Sequence, residues 1–272
     1  MAVSPAERQY ILAQIGKVAS DALKVLWQQA AELSTGDFAA FVIEAFPELV
    51  APYTTLAAET ALLWYAASEV VPTDFVPELG SLPSVEQLTR SAEWALGAQG
   101  TVGLDRLQGT TQRAVYDSAR STIVENADTE PGARWARYAS ANACAFCAML
   151  ATRGAVYTSA EAAGGVVGRG TEMSLMDRRI RAAGGTRRSG GRFTAGGVRA
   201  RGARPLGEKY HDHCHCVAIE VRPGDSYTPP DYVERWDDAY VTATRETPGV
   251  GRHGAIDRTA VLAHMRESLG AH

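Results

Sequence analysis

No apolar run in the chain reaches the roughly 18 residues that a membrane-crossing helix needs. The richest, residues 56–67, is broken by Glu59. No basic, apolar and small-residue leader opens the sequence, because Met1-Ala2-Val3-Ser4-Pro5 runs straight into a helix start. Disulfides, which need an oxidising compartment, are therefore not expected. No G-x-S-x-G marks an activated serine. The H-x-E followed by P-C-x-x-C of zinc deaminases is also missing. A net charge of −4 does not by itself point to nucleic acid. What remains is a chain of 272 residues, 46% hydrophobic and 21% charged, long enough to bury one large core or two modest ones.

Cysteine is scarce, and its placement is the strongest signal in the sequence. All four cysteines fall in two short stretches, Cys144-Ala145-Phe146-Cys147 and Tyr210-His211-Asp212-His213-Cys214-His215-Cys216. The second stretch also holds three of the six histidines. A Cys-x-x-Cys turn points two sulfurs at one tetrahedral ion, and a ligand pair from elsewhere in the chain completes a structural zinc site. The competing readings are two disulfides, a redox pair, and inert buried thiols. Redox CxxC motifs sit at a helix start after a strand in a βαβ unit, a context not legible here. Metal binding is the reading adopted, with zinc pinning two chain segments together.

The ligand set is open at this point. In an extended strand His211, His213 and His215 share one face, and Cys214 and Cys216 the other. A preceding turn lets His211 and Cys214 converge. The favoured set is Cys144, Cys147, His211 and one of Cys214 or Cys216, with the remaining sulfur simply packed. His213 and His215 are expected to face solvent or lie behind the ligands.

Residues 1–130 read as helices that dock on partners. Ser4-Pro5-Ala6-Glu7 is a capping box with proline at the first helical position. Ile11, Ile15, Val18, Ala22, Leu26 and Leu33 follow at helical spacing. Thr35-Gly36-Asp37 is expected to end that helix and cap the next. Residues 38–50 and 53–70 read as two helices parted at Pro47 and Pro52. Phe41, Val42, Phe46, Leu56, Leu62, Leu63 and Trp64 suggest burial all round. A proline-rich loop covers residues 71–83. Ser84-Val85-Glu86-Gln87 opens a helix to about residue 98, and residues 104–126 form another.

A small metal-binding domain is expected over residues 131–228, followed by C-terminal helices over 229–272. Strands are expected at residues 135–140, 155–158 and 216–221, and helices at 231–245 and 256–269. The fold class is therefore α+β. An insertion over residues 164–209 is rich in glycine and arginine. From Arg169 to Lys209 there are eleven basic and three acidic residues, so this stretch carries +8 and the remainder of the chain −12. Arg178, Arg179, Arg181, Arg187, Arg188, Arg192, Arg199, Arg201 and Arg204 are the candidate contacts to a phosphate backbone. The bland alternative is a solvated loop. Phe193 is the stretch's lone internal aromatic, which argues against base stacking on single strands.

Cys144-x-x-Cys147, Gly154-Ala155-Val156-Tyr157 and His211-x-x-Cys214-x-Cys216 before an apolar strand together resemble the MuF-like minor head proteins of tailed bacteriophages. The local phrasing is closest to members from actinobacterial phages or prophages. The resemblance covers residues 135–221, with a helical region before it. His215 stands where the family usually has arginine. The resemblance implies a virion component inside the head near the portal, acting in head assembly and in DNA packaging or delivery. It also implies the portal and other head proteins as partners, residence in the host cytoplasm during assembly, and neither a membrane nor a small-molecule substrate.

Two other classes compete with this reading. A capsid maturation protease, or another Cys/His or zinc-dependent hydrolase, would need a nucleophile context or a carboxylate base beside an open metal position. Asp212 is adjacent in sequence, but strand alternation turns it away. A zinc-ribbon regulator would want a basic recognition helix after the knuckle, and the helix from Asp231 is acidic. No enzyme activity is expected.

Overall fold

Ser4 opens the first helix by a reciprocal pair of bonds. Its hydroxyl accepts from the Glu7 N–H and its own N–H donates to Glu7 Oε2. The computed structural model describes residues 3–98, 100–155, 187–189, 192–194, 214–249 and 257–271. The elements are α1 (Pro5–Ala30), α2 (Thr35–Ala67), α3 (Val85–Leu96), α4 (Thr101–Thr129), β1 (Arg134–Tyr138), α5 (Ala145–Ala151), β2 (Arg187–Ser189), β3 (Arg192–Thr194), β4 (Val217–Val221), α6 (Tyr232–Glu246) and α7 (Arg258–Leu269). The fold is α+β, mainly helical, with β1 paired to β4 and β2 to β3. The strand expected at 155–158 lies outside the described residues beyond Ala155.

The chain forms two compact units. The first draws its described residues from Met1–Ala67, Val76–Asn126 and Tyr210–Val217; the second from Ser68–Phe75, Ala127–Lys209 and Ala218–His272.

Four helices build the first unit around one core. Leu23, Leu26 and Ala30 of α1 meet Val42, Phe46 and Val50 of α2, Leu88, Ala92 and Ala95 of α3, and Leu107 and Ala114 of α4. The buried stripe of α1 runs through Leu12, Ala19, Leu23, Leu26 and Ala30. The spacing expected around Val18 and Leu33 is thus rotated, and both are exposed. Gly16 sits in the true stripe and counts as no apolar side chain in a sequence pattern.

The break expected at Pro47 and Pro52 is absent, because α2 runs through both. Each proline removes an intrahelical donor at a cost of roughly 3 kcal/mol. The buried series Val42, Phe46, Val50, Thr54, Ala57, Ala61 and Trp64 offsets that cost by packing along the helix. Phe41, Leu56 and Leu63 point outward, so α2 is one-sided and not buried all round. Ser34, not Asp37, caps it: the Ser34 hydroxyl accepts from Asp37 N–H and donates to the Asp37 carboxylate at 2.6 Å. Trp27 meets Phe38 edge-on across this turn.

The proline-rich loop is strapped to α4. Asn126 accepts from Glu78 N–H and donates to Glu78 C=O, Gly80 N–H donates to the Thr122 hydroxyl, and Ser81 N–H donates to Glu125. Gly80 lies against the helix itself; a β-carbon there would fall 2.4 Å from Thr122 N.

In the second unit, Ala145, Met149 and Leu150 of α5 pack with Tyr240 and Ala243 of α6 and Val261 and Met265 of α7. The expected apolar face of α6 is buried at Val233, Trp236, Tyr240 and Val241. The Tyr232 hydroxyl donates to Ala139 C=O and ties α6 to the chain leaving β1.

Candidate metal centre

Strand β1 delivers the chain to a tight turn closed by the Ala143 N–H to Ser140 C=O bond. Cys144 then caps α5. Its backbone is extended, and its sulfur accepts from the Cys147 N–H at 3.5 Å. Cysteine here occupies the place of a serine cap, with the same geometric logic. One helical turn later Cys147 faces inward and is buried, whereas Cys144 is half-buried.

Cys214-His215-Cys216 leads into β4, and its burial alternates as an extended segment requires: buried, exposed, buried. The sulfurs of Cys147, Cys214 and Cys216 lie within 4.8 Å of one another, and all three residues are buried. Four sulfurs around a tetrahedral zinc stand about 3.8 Å apart. Three soft donors already within about 1 Å of that spacing fit zinc or another thiophilic ion. Both Cys214 and Cys216 join the group. Cys144 stands beside Cys147 at the helix cap. His211 lies outside the described residues, as do Asp212 and His213.

Helix α4 holds the cysteine segment in place. Arg120, buried to 3% side-chain exposure, donates from Nε to Cys216 C=O at 2.8 Å. Its Nη2 donates to Cys214 C=O at 2.8 Å and to Cys216 C=O at 2.6 Å. The same nitrogen lies 3.5 Å from the Cys214 sulfur. Asp117, one turn earlier, holds Arg120 Nη1 at 2.8 Å. Burial pushes the Asp117 carboxyl above its ordinary range, against the pull of the Arg120 and Arg113 guanidinium groups.

The exposed His215 ring stacks on Tyr116, with centroids 5.6 Å apart. Burial pushes the Tyr116 phenol well up, so it stays protonated and donates to Gln9 C=O. Gln9 Nε2 in turn donates to His215 C=O. Both backbone flanks of the cysteine pair are therefore fixed from helices α1 and α4.

The sequence pattern did not single out Arg120, Tyr116 or Gln9. A lone arginine in a polar helix reads as a solvated charge. The available signal was Arg120 one turn after Tyr116 and Asp117, flanked by the buried Ala119 and Ile123.

The basic insertion is seen in two pieces. Strands β2 and β3 pair antiparallel, with Arg187 opposite Thr194, Arg188 opposite Phe193 and Ser189 opposite Arg192. Arg178, Arg179, Arg181, Arg199, Arg201 and Arg204 lie outside the described residues.

The sequence model of the VG15 protein family matches residues 6–243, a span that takes in both cysteine pairs and helices α1 to α5. The chain belongs to the VG15 protein family. It is a phage protein on that basis. No curated protein and no solved structure matches this VG15 family member. Among its described residues no helix is long and apolar enough to cross a membrane.

Proposed function

We propose that this VG15 family member is a minor head protein of the MuF-like kind. In this reading it sits inside the phage head near the portal and acts in head assembly and in DNA packaging or delivery. The observation that carries the reading is the buried meeting of Cys147, Cys214 and Cys216. It gives a physical purpose to the two cysteine motifs on which the resemblance rests.

Cys147, Cys214 and Cys216 would hold a structural zinc, with Cys144 or His211 as the fourth ligand. Bound zinc supplies folding free energy and no chemistry of bond cleavage. The protein acts as a scaffold and not as an enzyme. Its helical region is the docking surface for portal and head proteins. The arginines of the insertion, including those of the β2–β3 ribbon, are the contacts to packaged DNA.

The reading is tested in particles. Virions of the parent phage, purified and freed of external protein, should contain the chain in low copy, protected from protease until the head is opened. A chain absent from particles, or stripped by external protease, would contradict it.

A further inference from the structure

A buried arginine needs an explanation, because its charge costs several kcal/mol to desolvate unless it is paired and fully hydrogen-bonded. Asp117 is a carboxylate partner of Arg120, at 2.8 Å. Its Nε and Nη2 reach a three-residue segment: two carbonyls, at Cys214 and Cys216, and one sulfur, at Cys214. A merely structural arginine would satisfy itself on carbonyls anywhere. This one reads the backbone on both sides of His215 and touches the side chain that the metal would use.

We propose that Arg120 is the positioning residue of the metal centre. It fixes the separation of Cys214 and Cys216 and donates to the Cys214 sulfur, which sets the strength with which that sulfur binds. The inference rests on the zinc reading given above and adds to it the residue on which affinity depends.

Three features support it. The guanidinium fork clamps both carbonyls at once, so the backbone between the two cysteines cannot rotate one sulfur away without breaking bonds at 2.6 and 2.8 Å. Next, a dication with three thiolates carries one excess negative charge, and buried excess charge is costly. Arg120 places one positive charge beside it. Finally, the Tyr116 ring lies under the guanidinium, 5.2 Å from its carbon, and Asp117 holds its outer nitrogen. The fork is thus held before any metal arrives. Partners behind metal ligands commonly change affinity by about 10- to 100-fold when removed.

The test uses the full chain, reduced, with zinc or cobalt(II) as the probe. Zinc affinity is read by competition with a chromophoric chelator, and the cobalt form by its sulfur-to-metal charge-transfer absorption. Arg120→Gln should weaken zinc binding by about 10- to 100-fold and move the cobalt band to longer wavelength, since a thiolate that loses a donor is easier to oxidise. Arg120→Lys keeps the charge and one donor without the fork, so its affinity and band should fall between the two. Arg90→Gln, on the exposed face of α3, should change neither. Helix content by circular dichroism identifies any variant that fails to fold. Should Arg120→Gln fail, Arg120→Lys decides: unchanged affinity with an unshifted band overturns the proposal. Wild-type affinity and band in Arg120→Gln do so equally. A wild-type chain that takes up no metal brings down the zinc reading itself, and this inference with it.

Discussion

Arg222 donates to both carboxylate oxygens of Glu130, at 2.8 Å from Nη2 and 2.9 Å from Nε, and both side chains are only 1% exposed. Glu130 comes directly after α4 and Arg222 directly after β4. Thr73 joins the pair: its hydroxyl lies 3.3 Å from Arg222 Nη2 and 3.4 Å from Glu130 Oε1. The half-exposed Glu69 adds a longer contact at 3.5 Å. This network closes the ends of the β1–β4 pair and anchors the residues that follow α2.

Removing both members should therefore cost less than the two single losses added together. Arg222→Met or Glu130→Gln leaves a buried polar group or charge without its partner, and about 3–5 kcal/mol of stability should be lost. The combined variant should lose clearly less than the sum. Urea unfolding of the three proteins measures it; simple additivity would show that the pair is not coupled.

Gly80 is the second sensitive point, for a steric reason. A methyl group there would fall 2.4 Å from a backbone nitrogen of α4, which cannot swing aside as a side chain would. Gly80→Ala should cost about 1–3 kcal/mol. It should also loosen the Glu78–Asn126 bonds, seen as faster amide exchange at Glu78. A wild-type melting temperature would contradict the close approach.

The cysteines should divide into a required set and a candidate. Cys147→Ser, Cys214→Ser and Cys216→Ser should each release the metal. Cys144→Ser and His211→Ala distinguish the two candidates for the fourth position, as the one that ligates should also release it and melt mainly the second half of the chain. Metal retained in Cys147→Ser would remove that residue from the site.

Acid should empty the site. Protons compete with zinc for thiolates, so the metal-bound form is favoured at neutral and higher pH and lost as the pH falls. Metal-dependent stabilisation, taken as the melting temperature with and without chelator, should shrink towards zero in acid. A stabilisation independent of pH would contradict thiolate ligation.

DNA contact through the insertion should be electrostatic. Binding to duplexes of unrelated sequence should be equally strong and should fall steeply with salt. Replacing Arg187, Arg188 and Arg192 by Gln should flatten the salt slope without creating sequence preference. Binding that ignores salt would contradict a phosphate-backbone mode.

The sequence made the helices legible because their caps and stripes are local. The Ser4 box, the cap at Ser84 and the apolar face around Trp236 each depend on residues within a turn or two. It misjudged α2 because a proline's local penalty was weighed without the long buried face that outweighs it. It read Phe41, Leu56 and Leu63 as buried because hydrophobicity does not say which side of a helix has neighbours. That Cys147 meets the distal cysteine pair was legible from spacing and ligand chemistry; that Cys214 and Cys216 both come close to it was not, because strand alternation alone does not say which sulfur faces the other segment. Arg120 was not, because its significance comes from partners 94 and 96 positions away, which a local pattern does not carry.

The central claim is a structural metal held by buried thiolates, and metal content with thiol accessibility tests it most directly. The full chain, purified reduced and without chelator, should carry about one zinc, with Cys147, Cys214 and Cys216 unreactive to thiol reagents until the metal is stripped. Metal-free protein whose four cysteines react freely in the native state would contradict the account.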